Sequence, residues 1–395
     1  MCSFKTLIIF VTVFAFVVLT DKAGAQGESS TRYKNVIVMI GDGMGLAQVS
    51  AARLHKGRLW VEDSDDYGFS FTHSLDNFVT DSAASATALA SGFLVPNRHV
   101  ATHPGGEPIS TILELARTMG KRTGLVATSR VTHATPAAFA THVNDRGEEY
   151  AIAEQLSHSE VDVLLGGGWD KFLPRKQRVV SADAPAKLHG TRADGRDLVE
   201  EMMEKGYRFV RTAAELESVK SPGRTLGLFY PESMPRVTRG RSPSLAAMTR
   251  YALRELAESP GGFFLMVEGS QIDWGGHSNE LEYVIDETAD FDDAIGEVFR
   301  FLKKNGLDDD TLVVITADHE TGGLSLNKDP QFPLSYKPKW TTDGHSGIAV
   351  PVFSFGASSR DFRGVQTHAE IGRKLIEGML GRELAWEYPE SSRSF

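Results

Sequence analysis

Six short apolar runs do most to limit what this chain can fold into. They lie at 35–40, 123–127, 161–165, 263–267, 311–316 and 350–355. Each is β-branched or aromatic and apolar throughout, so each predicts a strand covered on both faces. Segments of helical character fall between them, at 46–55, 82–90, 109–119, 148–157, 244–258, 280–304 and 368–380. Such alternation predicts a three-layer α/β fold, with a doubly wound, mostly parallel sheet and helices on both faces. In open sheets of this kind, ligands sit beyond the carboxyl ends of the strands.

The residues with chemistry to offer obey that rule. Asp42 follows the first run, Glu268 the fourth, and Asp318 and His319 the fifth. Asp273 and His277 are four apart in Glu268-Gly-Ser-Gln-Ile-Asp273-Trp274-Gly-Gly-His277, so one helical turn would aim both at one point. His345 lies in Asp343-Gly-His345-Ser-Gly. Carboxylates and imidazoles are ligands that zinc accepts, and a carboxylate ending an apolar strand is costly to desolvate without a cation. A loop histidine by itself is usually a surface residue; the reading rests on the whole set meeting on one sheet edge.

Ser82 opens the alanine-rich stretch Thr80-Asp81-Ser82-Ala-Ala-Ser-Ala-Thr. Thr80 or Asp81 suits an N-cap, which would put Ser82 at a helix N-terminus, where free N–H groups and the dipole favour an anion. Ser82 is thus either a cap or a nucleophile. Arg146, downstream of His133-Ala-Thr135-Pro, offers a guanidinium that binds phosphate or sulfate in two-pronged fashion.

The chain has 395 residues, and the ligand set runs from 42 to 345, so independent domains would separate it. We therefore expect a single α/β domain over 26–395, with 170–240, richer in Arg, Lys, Pro and Gly, as a peripheral insertion. A net charge of −10 argues against a nucleic-acid-binding surface. Residues 1–25 read as a cleaved signal peptide: Lys5 precedes an apolar or small run from Leu7 to Leu19, and Ala23-Gly24-Ala25 is a small-residue cleavage site. The only cysteine, Cys2, lies inside it, so the mature chain has no disulfide. No membrane anchor is expected in the mature chain, and the location is secreted or periplasmic.

Together these stretches resemble the alkaline phosphatase family. The match runs through Asn35 to Asp42-Gly-Met-Gly, Thr80-Asp-Ser82-Ala-Ala-Ser-Ala-Thr, His133-Ala-Thr135-Pro through Arg146, Glu268 through His277, Thr316-Ala-Asp318-His319-Glu and Gly344-His345-Ser. The resemblance implies metal-dependent hydrolysis of phosphate monoesters, at alkaline pH, through a phosphoserine on Ser82. It implies two zinc ions and one magnesium ion per chain. Asp273, His277 and His345 would hold the first zinc, and Asp42, Asp318 and His319 the second. Asp42, Thr135 and Glu268 would hold the magnesium, with His133 beside it. Arg146 would grip the phosphate, inorganic phosphate being both product and ligand.

Trp274 stands where other members carry lysine or histidine, so we expect it to pack near the substrate. Only 25 residues separate His319 from His345, where many members place a large surface domain. This resembles a compact form, and a homodimer is implied. Related phosphodiesterases and sulfatases share the strand-end ligands. A sulfatase needs Cys/Ser-x-Pro-x-Arg, whereas Ser82 is followed by Ala-Ala-Ser-Ala.

Overall fold

Ten strands form the central sheet of the computed structural model, which describes residues 32–175, 178–179, 188–331 and 335–387. In chain order they are β1 (Asn35–Gly41), β2 (Asp66–Phe71), β3 (Arg122–Arg130), β4 (Val163–Gly167), β5 (Arg208–Val210), β6 (Thr225–Leu228), β7 (Phe263–Gly269), β8 (Thr311–Thr316), β9 (Val350–Gly356) and β10 (Gly364–Thr367). Across the sheet the order is β10-β2-β9-β8-β1-β7-β3-β4-β6-β5. Only β9 runs against its neighbours; the other ladders are parallel. The expected signal peptide and Cys2 lie outside the described residues.

Both faces of the sheet are covered, which is why the runs carry no polar alternation. Along β1, Val36, Val38 and Ile40 enter one core while Ile37 and Met39 enter the other. The first core packs under helices Ser82–Ser91, Ile112–Thr118 and His368–Leu380. The second packs under Leu46–Lys56, Leu245–Leu256 and Leu281–Asn305. Each fully buried Val, Leu, Ile or Phe contributes roughly 1.5–3 kcal/mol.

Four strands lie outside the six expected runs. Along β2, inward residues alternate with exposed Tyr67, Phe69 and Phe71, so it is not the continuous run the expectation relied on. β10 is short and largely exposed. β5 and β6 fall within the expected insertion at 170–240 and supply the sheet's far edge, with Leu226 and Leu228 fully buried. The helix expected from 109 starts at Ile112, because Thr111 caps it and Glu114 returns a hydrogen bond to the Thr111 N–H.

Candidate active site

β8, β1 and β7 are adjacent and parallel, so their carboxyl ends reach one rim together. Asp42 follows β1, Glu268 lies at the end of β7, and Asp318 and His319 follow β8; all four are fully buried. The turn after β1 needs glycine. Gly43 has φ +73°, and a Cβ there would sit 2.6 Å from the Asp273 Cα. That close approach brings the helix Gln271–His277, and with it Asp273, up to Asp42.

Three groups of side chains result. Ligand atoms of Asp273, His277 and His345 lie within 4.8 Å of one another, as do those of Asp42, Asp273 and His319, and those of Asp42, His133 and Glu268. Each group could hold a metal ion. Asp318 joins through His319, whose Nε2 is 3.1 Å from Asp318 Oδ2 and 3.5 Å from Asp42 Oδ1. Asp318 Oδ1 accepts the N–H groups of Gly43 (3.1 Å) and His319 (2.9 Å), which leaves Oδ2 facing inward.

Hydrogen bonds behind the imidazoles fix which nitrogen is free. His277 Nδ1 meets the Asp343 carbonyl at 2.6 Å, and His345 Nδ1 meets that of Thr80 at 2.8 Å. A carbonyl only accepts, so Nδ1 carries the hydrogen and the neutral ring aims a lone pair from Nε2. Those Nε2 atoms face Asp273 Oδ1 at 3.3 and 3.6 Å. The Thr321 hydroxyl donates to Asp273 Oδ1 and so accepts from His319 Nδ1 at 3.2 Å. Lone pairs aimed at carboxylate oxygens fit a cation between them, and partners of this kind orient metal-binding histidines.

Buried atoms without partners make the same point. Both Asp42 oxygens, Glu268 Oε1, Thr135 Oγ1 and His133 Nδ1 have no hydrogen bond. Buried polar atoms left unpaired are costly, and a set this rich in carboxylate oxygens suits divalent cations.

Ser82 sits against this ring. Asp81 caps its helix by accepting from the Ala84 N–H, so Ser82 is the first helical residue rather than the cap. Its Oγ lies 3.2 Å from His319 Nε2. The helix Ser82–Ser91 is buried on all sides and can approach the helix His368–Leu380 closely because Gly372 faces Ala88. Arg146 Nη1 donates to Asp81 Oδ2 at 3.1 Å and Nη2 to His133 Nε2 at 3.3 Å. Trp274 presents its ring edge-on to His133, with centroids 6.3 Å apart. Every residue singled out in the sequence thus lies in or beside one cluster of side chains. Sequence reasoning missed Thr321 as a partner of Asp273 and His319, and Asp81 as the resting partner of Arg146.

A family model described as alkaline phosphatase matches residues 33–337. The chain belongs to the alkaline phosphatase family. Alkaline phosphatase 3 of Bacillus subtilis is 32% identical over 91% of this chain and 90% of that one. The repressible alkaline phosphatase of Saccharomyces cerevisiae is 39% identical over 79% of this chain and 59% of its own length. Among solved structures, the alkaline phosphatase of the Antarctic bacterium TAB5 has a TM-score of 0.80 at 35% identity, covering 89% of this chain and 99% of that one. The protein is a phosphatase whose family hydrolyses phosphate monoesters.

Electrostatics in this phosphatase follow from the crowding. Burial, then the carboxylates of Asp318, Asp273 and Glu268, push Asp42 well above the usual range. Burial pushes Glu268 up to about 8. His133 falls to about 3 through burial and the Arg146 guanidinium, and His345 to about 4 through burial and His319. His277 rises to about 9 through its hydrogen bond with Asp273. The carboxyls of Asp42 and Glu268, which resist ionisation, the imidazoles of His133 and His345, which stay neutral, and that of His277, which holds its proton, are groups a bound cation would reset.

Proposed function

We propose that the phosphatase cleaves phosphate monoesters at alkaline pH through a phosphoserine on Ser82, with two zinc ions and one magnesium ion per chain. Asp273, His277 and His345 would hold one zinc, Asp42, Asp318 and His319 the other, and Asp42, Glu268 and Thr135 the magnesium, with His133 alongside. When bound, such ions supply positive charge and Lewis acidity that favour an ionised serine and a departing alkoxide.

The chain's own groups do the rest. Ser82 Oγ attacks phosphorus; the serine O–P bond forms as the ester P–O bond breaks, and the alcohol leaves with the serine proton. Water then cleaves the phosphoserine, releasing inorganic phosphate and returning the hydrogen to Ser82. The helix N-terminus stabilises negative charge on that oxygen in both steps. Arg146 turns from Asp81 to two non-bridging phosphate oxygens, and Trp274 packs beside the substrate. The observation that carries this reading is Ser82 Oγ beside His319 Nε2, within one ring of carboxylates and imidazoles.

Incubation with labelled inorganic phosphate at acidic pH tests it. We expect label on the wild type and none on Ser82→Ala, which also loses turnover; label or turnover that survives Ser82→Ala would refute the reading. Metal analysis of the purified protein checks the two-to-one stoichiometry. Turnover of p-nitrophenyl phosphate should exceed that of its bis-ester and of p-nitrophenyl sulfate.

We further propose that residues 26–395 form a single domain, exported by the 1–25 segment and assembled as a homodimer. N-terminal sequencing and sedimentation of the secreted protein check this. No helix among the described residues is long and apolar enough to cross a membrane.

A further inference from the structure

We infer that the cleft next to Trp274 is a second anion subsite, which receives a phosphate carried on the leaving group. The substrate class it selects is a phosphate monoester whose alcohol half bears another phosphate and a planar ring, as in a nucleoside bisphosphate. The inference rests on the proposed phosphatase reaction.

The cleft has a volume of about 430 Å³ and is lined by Arg130, His133, Arg236, Arg239, Trp274 and Tyr283. His133 also touches Arg146, so the cleft continues from the place where the reacting phosphate would be held. Three guanidiniums face one cleft, and the single carboxylate lining it, Glu232, is mostly turned to solvent.

Of the three guanidiniums, Arg239 makes no salt bridge among the described residues and Arg130 makes only long ones. Arg130 has carboxylates of Glu149, Glu232 and Asp170 at 3.7, 3.8 and 3.9 Å, within ion-pair reach but beyond good hydrogen-bond distance, and its buried Nε makes no hydrogen bond. Arg239 is exposed and makes no salt bridge among the described residues. Arg236, by contrast, pairs with Glu280 at 2.6 Å and lies flat on Tyr283 at 3.6 Å. A guanidinium with free donors is a fork matched to phosphate oxygens. The indole of Trp274 offers a planar base a surface to stack on.

The wall is held rigidly to the site. Gln271 Nε2 donates to the carbonyls of Thr128 (3.1 Å) and Met234 (2.6 Å), and its Oε1 accepts the Tyr283 hydroxyl at 2.8 Å. The buried Arg241 Nε donates to the Pro235 carbonyl at 2.9 Å. Gln271 begins the helix that carries Asp273, so cleft and reaction centre keep a fixed separation. That is what a second contact needs if it is to orient the substrate.

The test compares adenosine 3′,5′-bisphosphate with adenosine 5′-monophosphate, whose leaving groups differ by the second phosphate. The wild type should favour the bisphosphate in kcat/KM. Arg239→Gln, at an exposed position, and Arg130→Gln should each cut that preference roughly tenfold, the scale of one charge-assisted hydrogen bond. Both should leave p-nitrophenyl phosphate turnover within about twofold, since it lacks the second anion. No preference in the wild type, or a preference that both variants retain, would overturn the subsite. A wild type that failed on p-nitrophenyl phosphate itself would overturn the reaction and the subsite with it.

Discussion

Replacing Asp42 by asparagine should change the sign of its effect on stability when divalent cations are removed. Ligand atoms of Asp42, Asp273 and His319 lie within 4.8 Å of one another. Two unit charges at that separation repel by about 3 kcal/mol at an effective dielectric of about 20. In chelator, Asp42→Asn removes this repulsion and keeps the shape, so the variant should be more stable by up to about 3 kcal/mol. With zinc and magnesium added, the same change would remove a ligand that the proposed reading has both ions share, and the variant should be the less stable one.

The gain in chelator depends on pH. Burial pushes Glu268 up to about 8 and raises Asp42 as well. A carboxyl raised on folding contributes stability that is present below its unfolded pKa and lost as pH rises through its folded one. The contribution of Glu268 to the chelated protein should therefore be lost from about pH 4.5 to about pH 8, and the advantage of Asp42→Asn should grow as pH rises through the raised range of Asp42 itself. Urea unfolding with and without chelator at several pH values measures this. If chelated Asp42→Asn gained nothing over chelated wild type as pH rose, the account of mutually repelling, cation-seeking carboxylates would fail.

Arg146→Ala should lower kcat/KM for p-nitrophenyl phosphate by about 10- to 100-fold and weaken inhibition by inorganic phosphate, since two charge-assisted hydrogen bonds are lost. Steady-state kinetics decide, and a change under about threefold would remove Arg146 from phosphate binding. If Trp274 packs beside the substrate as proposed, Trp274→Lys brings an ammonium there and inorganic phosphate should inhibit roughly tenfold more tightly; unchanged inhibition would show that Trp274 lies off the phosphate. Arg241→Leu strands two carboxylates, because Arg241 and Glu287 are each 2% exposed and paired at 2.6 Å, with Asp290 at 2.8 Å. A loss of about 3–5 kcal/mol in unfolding free energy is expected, and a loss below 1 kcal/mol would mean water reaches the pair.

The sequence makes the middle of this fold legible and its margins obscure, for a physical reason. β1, β7 and β8 are buried on both faces, so their sequences are apolar without interruption. β2 alternates Asp66 and Ser70 with exposed aromatics, and only its neighbours make it a strand. The site reads well because strand ends put Asp42, Glu268 and Asp318 where desolvation of a carboxylate demands a partner. Thr321 could not be read the same way. Its hydroxyl matters only because a two-residue ladder with His345 and Ser346 brings it beneath Asp273, a pairing between distant residues with no local signal. The cleft at Trp274 was hidden likewise: Arg130 ends β3, while Arg236 and Arg239 come from a loop over 100 residues later.

The reversed direction of β9 has a consequence for how this enzyme could change. Because β9 opposes β8, the chain leaves the rim after His319 and returns to it before Val350, so both stems of the excursion are anchored at one place. Glu320 clamps the stems through the Gly323 and Leu324 N–H groups and the Ser346 hydroxyl. The outer hairpin, Ser325–Lys328 paired with Tyr336–Lys339, hangs from that clasp like a pendant. Trimming it, or splicing a whole module in its place, should alter the protein's outline while His319 and His345 stay put. Swapping the hairpin for a short glycine-serine bridge and finding zinc affinity lost would show that the clasp alone does not hold them.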